Sequence, residues 1–283
     1  MKRSDRKKTH QCQAGKIITI CLLSLFTVIF IVGAYIFFSV VREHRGAADA
    51  YRSLRPVAAG SAAAGELPDG TVIELTPAAA GDDRARQADA NVPPVPRSSL
   101  DFSALKEQCP DIKAWLFAEG TRLDYPVAQT DNNDYYLRHL YNGERNSSGT
   151  LFIDYRNTGL FTEQNTVIYG HHTKDGGMFA TVRSYRKQSF YDAHPTMILY
   201  TPDGDYLIEL ICGTVEDGNF EFVEFEFDDV SAFYAYIDSR RERSTFRSDV
   251  EVEPGDKLVS LCTCSYEREN ARYMLMGKLT PLA

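Results

Sequence analysis

A cysteine, an arginine and a histidine can together perform acyl transfer, and this chain offers all three in defined strand contexts. Cys264 ends the run KLVSLCTC (Lys257–Cys264), and Arg272 lies at the start of the run ARYMLMGKL, eight residues further on. Side chains alternate across a strand with a period of two. Val259, Leu261 and Thr263 therefore share one mostly apolar face, and Ser260, Cys262 and Cys264 the other. In the second run Tyr273, Leu275 and Leu279 share a face, while Arg272 and Lys278 share the opposite one. With both apolar faces in one core, positions 264 and 272 point outward near the same end of an antiparallel hairpin. A thiolate there would attack a carbonyl, and a guanidinium would stabilise the oxyanion or hold the substrate.

Such chemistry needs a base, and the chain has six histidines. His10 and His44 flank a long apolar segment, which leaves His139, His171, His172 and His194. The strongest context is NTVIYGHHTKDGGMFA, residues 165–180. There a β-branched strand, Thr166–Tyr169, ends at Gly170, and His171 follows where strand gives way to loop. A group at the stub of a loop fixed by a rigid strand is well held for catalysis. His172 and His194 read as structural or solvent-facing, and His139 as a residue on a helix surface. Asp154 and Asp175 are within reach of a role in orienting His171, but acids near turns more often cap backbone groups. Neither is taken as catalytic, and Glu267 reads as a solvated loop charge.

The elements that must position these groups follow from patterning. Asp101 reads as a helix N-cap ahead of Phe102 and Leu105. Leu123–Val127 is a strand at an edge or terminus because of Pro126. Asp131–His139 reads as a short helix, and Thr150–Asp154 as a strand after the turn Ser147-Ser148-Gly149. Pro202-Asp203-Gly204 joins Ile198–Tyr200 to Tyr206–Ile211 in a hairpin. Asp228–Arg241 is the clear amphipathic helix, with Val230, Phe233, Tyr234 and Ile237 at i, i+3, i+4 and i+7. Many short strands with few helices argue for a closed or nearly closed β-barrel with peripheral helices.

The chain has 283 residues, enough for one sizeable domain with appendages at about 100–200 residues per domain. Its net charge is −8, yet residues 1–45 hold eight Lys/Arg against two acids, so the remainder is strongly acidic. Nucleic-acid binding rests on neutralising phosphates, and a domain this acidic is unsuited to it. Residues 1–16 form a basic tail expected in the cytoplasm. Ile17–Val41 is 25 residues without a charge, long enough for a transmembrane helix. It is also longer than the apolar core of a cleaved signal peptide, about 7–15 residues. The excess of basic residues before the span orients the rest of the chain outside the cell membrane. Residues 42–97, rich in Ala, Gly, Pro and Asp, read as a flexible extracellular linker. In it Ala47–Leu54 could continue a helix, and Thr71–Leu75 could be a short strand. The catalytic domain is expected over residues 98–283.

The cysteine pattern does not read as a disulfide framework, since a domain this size has core enough to fold without staples. Cys109 and Cys212 read as buried free thiols, with pairing between them the alternative. A metal site from Cys262, Cys264, His171 and His172 has suitable ligand types. Its Cys-x-Cys spacing on an extended strand separates the sulfurs by roughly 6–7 Å. No metal and no cofactor is expected.

Tyr169-Gly170-His171, Leu261-Cys262-Thr263-Cys264 and Arg272 together resemble the class B sortases, membrane-anchored cysteine transpeptidases of Gram-positive bacteria. NDYYLRH (Asn133–His139), GTLFIDYRN (Gly149–Asn157) and KQSFYDAHP (Lys187–Pro195) support the resemblance, which spans roughly Asp101 to Leu279. The family commonly carries serine or another small residue where Cys262 stands. The resemblance implies an eight-stranded barrel with a helix between the sixth and seventh strands. It implies Cys264 as nucleophile, His171 as acid and base, and Arg272 as the oxyanion or substrate guanidinium. By the same route Asn133, Leu137, Tyr169, Cys262 and Thr263 are expected at the substrate. The implied substrates are secreted proteins with a C-terminal sorting signal of the Asn-Pro-x-Thr type. The implied acceptor is an amine of a peptidoglycan precursor or of a pilin. The residues themselves also leave open a cysteine hydrolase without transfer, and a non-catalytic binding module on the same barrel.

Overall fold

Hydrogen bonds between neighbouring strands close eight strands into one barrel in the computed structural model, in the order β1-β2-β3-β4-β7-β8-β6-β5. The structure describes residues 2–58, 100–173, 176–219, 221–264 and 270–282, with the backbone alone for residues 2–22, 24, 56–58 and 264. The strands are β1 (Ile112–Phe117), β2 (Asp124–Ala128), β3 (Leu151–Ile153), β4 (Asn165–Gly170), β5 (Thr196–Tyr200), β6 (Tyr206–Asp217), β7 (Lys257–Cys264) and β8 (Ala271–Pro281). Helices are α1 (Lys2–Ala58), α2 (Phe102–Gln108), α3 (Ala180–Ser184), α4 (Gln188–Ala193) and α5 (Val230–Arg241). The chain divides into two compact units, residues 1–50 and 51–283. Within α1, Leu25–Arg55 contains a stretch long and apolar enough to cross a membrane.

Alternation on the strands fills the barrel as their patterning requires. Thr166 and Ile168 on β4 lie beside Val259 and Leu261 on β7, which in turn face Gly277 and Leu275 on β8. Thr166, Ile168, Val259, Leu261 and Leu275 are fully buried. Most pairs are antiparallel, but β2–β3 and β4–β7 are parallel. Pro126 lies opposite Trp115 of β1, and the pairing of β2 to β3 begins only at Val127, so the missing proline N–H costs no ladder bond on that side.

Three elements differ from their sequence-based expectation. The stretch expected as a helix over Asp131–His139 contains only a 3-10 turn, Tyr135–Leu137. Asn132 Oδ1 accepts from the backbone N–H groups of Asp134 and Tyr135, which caps the start of the turn. The backbone leaves helical geometry at Arg138 (φ −136°), where His139 pairs with Arg145. Helix α5 begins one residue after its cap Asp229, whose carboxylate accepts from Ala232 N at 2.8 Å. Its buried stripe is Phe233, Tyr236, Ile237 and Arg240, while Val230 stands 52% exposed. The helix is therefore turned from the expected face. Aromatic packing of Phe233 and Tyr236 against Phe227 sets the angle, with centroids at 5.3 and 5.0 Å. Residues 42–58, expected as the start of a flexible linker in which Ala47–Leu54 could continue a helix, are helical throughout, so the helix allowed there is present and longer than expected. In the second unit Tyr51 donates to Gly149 O at 2.6 Å, Leu54 is buried with Leu105, Ile112 and Trp115, and Arg55 pairs with Asp124 at 3.0 Å. Thr71–Leu75 lies outside the described residues, as do Asp175 and Glu267.

The expected N-cap Asp101 caps α2 through Ala104 N. The β5–β6 hairpin and α5 between β6 and β7 also match their expectations. Cys109, Cys212 and Cys262 are free and buried. Burial pushes the Cys212 thiol up to about 12 and raises Cys262 strongly, with Glu216 adding to the latter.

Candidate active site

The register of three adjacent strands builds the site. Cys264 on β7 lies directly opposite Arg272 on β8. On the other side of β7, parallel β4 pairs Tyr169 with Cys262 and Gly170 with Thr263. His171 is the residue at which the chain leaves β4, one step beyond the Gly170–Thr263 pair. Adjacent strands lie about 4.8 Å apart, so backbone positions 171, 264 and 272 fall across about 10 Å at one end of the barrel. Side chains in register share a face, and Cys262 and Tyr169 of this set belong to the outer cluster beneath α5. Positions 264 and 272 continue that outer face.

Gly170 precedes the histidine for a packing reason. A Cβ there would lie 2.4 Å from Leu151 Cδ2 and 2.7 Å from Phe179 Cδ2, inside the barrel. The imidazole itself is held from the segment before β3. His171 Nε2 lies 2.7 Å from Leu137 O. A carbonyl only accepts, so Nε2 carries the hydrogen, and in the neutral ring Nδ1 carries the basic lone pair. Gly149, with φ +59°, packs against both this carbonyl and the ring. A Cβ on it would be 2.4 Å from Tyr136 O, 3.1 Å from Leu137 O and 3.2 Å from His171 Cδ2.

Arg272 lies over Gly218, where a Cβ would come within 3.1 Å of its Cγ and 3.2 Å of its Cζ. Glu216 is its cross-strand neighbour on β6. That carboxylate is engaged by Arg243 at 3.1 Å through both oxygens and by the Thr214 hydroxyl at 2.6 Å. Among the described residues Arg272 forms no salt bridge, and its Nη1 donates to Ala271 O at 3.2 Å.

A second wall joins the histidine side. The fully buried Asp154 accepts from Asn133 Nδ2 at 3.0 Å and from the Tyr169 hydroxyl at 3.1 Å. It also accepts from Arg156 N, Nε and Nη2 at 2.9, 3.0 and 2.8 Å. Burial works to raise this carboxyl, but the Arg156 contacts and Asn133 outweigh it and hold it below the usual carboxylate range. Burial likewise raises the Tyr169 phenol, with the neighbouring Cys262 and Asp154 adding to the effect. Leu137 and Tyr169 pack on a cluster of Ala128, Tyr136 and Phe152.

The structure thus brings Asn133, Leu137, Tyr169 and His171 into one linked wall beside positions 264 and 272. It treats Cys262 and Thr263 differently: each is only 2% exposed. Their side chains are packed away, and the backbone is what they present next to position 264. Sequence reasoning placed Leu137 at the substrate but gave no sign that its carbonyl meets His171, because no residue type signals which carbonyl a histidine will meet. It also considered Asp154 for His171, whereas the carboxylate engages Asn133, Tyr169 and Arg156. His139 stacks on Tyr135, with centroids 4.2 Å apart.

No family model matches the chain. Among characterised proteins it is 38% identical over 171 residues to sortase B of Listeria monocytogenes, covering 60% of this chain and 70% of that protein. The chain belongs to the sortase B family. Sortase B of Staphylococcus aureus is 29% identical over 180 residues, covering 63% of this chain and 74% of the relative. The crystal structure of that Staphylococcus aureus enzyme superposes with a TM-score of 0.61 over 66% of this chain and 89% of the solved one, at 29% identity. A Staphylococcus aureus sortase B–substrate complex agrees equally well, with a TM-score of 0.61 at 29% identity over 64% of this chain and 85% of that one. Sortase B complexed with triglycine gives a TM-score of 0.60 at 28% identity, over 64% of this chain and 86% of that one. The protein is accordingly a sortase-type cysteine transpeptidase on a closed eight-stranded barrel.

Proposed function

We propose that the enzyme cuts a C-terminal sorting signal of the Asn-Pro-x-Thr type in secreted proteins and passes the new acyl end to an amine of a peptidoglycan precursor or pilin. In this reading the Cys264 thiolate attacks the carbonyl carbon after Thr. Arg272 stabilises the oxyanion that forms. The tetrahedral intermediate collapses as the His171 imidazolium gives its proton to the departing amine, leaving a thioester on Cys264. The incoming amine then attacks the thioester, His171 takes its proton, and the thiolate leaves. Asn133, Leu137 and Tyr169 contact the signal, and the backbone at Cys262 and Thr263 flanks the reacting carbonyl. The relatives solved with a substrate and with triglycine support a peptide donor and an amine acceptor.

The observation that carries the reading is the shared register of β4, β7 and β8, with Cys264 opposite Arg272 and His171 one step past the Gly170–Thr263 pair. The apolar stretch of α1 supports membrane anchoring. We assign the crossing to residues 17–41, with residues 1–16 in the cytoplasm, 42–97 leading out, and the catalytic domain from 98 onward outside. A tether at the membrane surface raises the effective concentration of substrates that arrive there.

The test is mass spectrometry of the full chain incubated with an Asn-Pro-x-Thr peptide, with and without triglycine. An acyl-enzyme on Cys264 and a peptide–triglycine product are expected, both absent in Cys264→Ala. Transfer that persists in Cys264→Ala refutes the assignment, and release to water alone in the presence of triglycine identifies a hydrolase.

A further inference from the structure

The Asp154 carboxylate takes up hydrogen-bond donors from two groups assigned above to the substrate wall. Its Oδ1 is occupied by Arg156 N and Nε. Its Oδ2 gathers Arg156 Nη2, Asn133 Nδ2 and the Tyr169 hydroxyl. A carboxylate is acceptor-only, so the orientation of both neighbours is decided. Asn133 must turn its amide nitrogen inward, and its Oδ1 accepts from Tyr155 N at 3.1 Å, which fixes the same orientation independently. One Nδ2 hydrogen is left over. Tyr169 has a single hydroxyl proton and gives it to Asp154, which leaves lone pairs on its oxygen. Both residues are partly exposed.

We propose that Asp154 is a positioning residue that sets the hydrogen-bond polarity of the substrate groove, making Asn133 a donor and Tyr169 an acceptor toward the bound peptide. The proposal rests on the assignment of Asn133 and Tyr169 to that groove. The ligand it selects is an extended peptide that offers a carbonyl to Asn133 and an N–H to Tyr169. Arg156 makes the arrangement stiff. It holds three contacts to Asp154, pairs with Glu221, and lies 4.4 Å above the Phe225 ring on the connection from β6 to α5. The wall carrying Asn133 is thereby braced to the segment leading into α5. A carboxylate that Arg156 keeps ionised remains acceptor-only throughout the neutral range.

The experiment uses the full-length enzyme in detergent and a series of signal peptides in which an ester replaces one backbone amide at a time upstream of the scissile bond. Losing one hydrogen bond of this kind costs up to about tenfold in KM. In the wild type one ester position is expected to raise KM severalfold with kcat little changed, and Tyr169→Phe abolishes that penalty. Asp154→Asn, which frees the Tyr169 proton and can donate to Asn133, raises KM for the all-amide peptide and erases the same penalty, again with kcat held within about twofold. If Asp154→Asn folds poorly, the wild-type ester series still tests the proposal: no ester position that raises KM means that Tyr169 accepts no peptide N–H, which overturns it. Unchanged KM and an unchanged ester penalty in Asp154→Asn, with Tyr169→Phe showing its effect, overturns the polarity role and leaves the groove assignment standing. Wild-type behaviour in both Tyr169→Phe and Asn133→Ala overturns the groove assignment, and the polarity role with it.

Discussion

Replacing Gly149 by alanine tests whether the histidine is held from behind. At φ +59° an L residue bears a strain of about 1–2 kcal/mol. The added Cβ would lie 2.4 Å from Tyr136 O, a backbone atom that cannot swing aside, so the segment must shift by about an ångström. That shift weakens the Leu137 O–His171 Nε2 bond of 2.7 Å, worth about 1 kcal/mol net. The sum is roughly 2–3 kcal/mol, or a fall in Tm of about 4–12 °C for a domain of this size. Catalysis suffers separately, since a displacement near 1 Å of a reacting group costs up to about a hundredfold in rate. Gly255→Ala is the control. Gly255 has φ +101° and nothing within 4 Å of an added Cβ, so it bears backbone strain without touching the histidine. The assay is single-turnover acylation by a signal peptide, beside thermal unfolding of both variants. Gly149→Ala is expected to slow acylation at least tenfold at temperatures where it is fully folded, and Gly255→Ala to leave the rate alone. Equal rates in the two variants would refute the supporting role of the Leu137–Gly149 ledge.

Two further outcomes follow from burial. Tyr51→Phe removes the hydroxyl that bonds Gly149 O at 2.6 Å and Thr150 Oγ1 at 3.0 Å, leaving a buried carbonyl without that donor. A loss of about 1–3 kcal/mol in chemical denaturation is expected, and an unchanged midpoint would show that the Tyr51 hydroxyl adds nothing to the stability of the second unit. The buried thiols give a pH signature. Burial lifts Cys212 from its ordinary 9.0 to about 12. The folded state therefore keeps a proton that the unfolded chain releases. The associated stability is fully present below pH 9 and is lost as pH rises toward 12. Between pH 9 and 10 each such thiol contributes a downward slope of up to about 1.4 kcal/mol per pH unit. Cys212→Ala should show a shallower decline in urea midpoint over that interval, and an identical slope would contradict the assignment.

The chemistry was legible in the sequence because it depends on residue type and short-range periodicity. Alternation in KLVSLCTC and ARYMLMGKL put positions 264 and 272 on one face, and the structure pairs them directly. The strand that ends in Tyr-Gly-His announced a group held at a loop stub, and Gly170 proved necessary for barrel packing. Local signals such as Asp101 and the Pro-Asp-Gly turn also read true, since they act within a few residues. Tertiary structure decided what distant segments do to one another. The face of α5 was set by Phe227, outside the helix, and not by its own apolar spacing. The helix that periodicity alone would have continued stops at Arg138, where His139 pairs with Arg145. Above all, the partner of His171 is a carbonyl thirty-four residues upstream, and Asp154 serves Asn133 and Tyr169. Every residue carries a carbonyl, and a carboxylate accepts from any donor in reach. Their partners are therefore fixed only when barrel closure sets β3 beside β4.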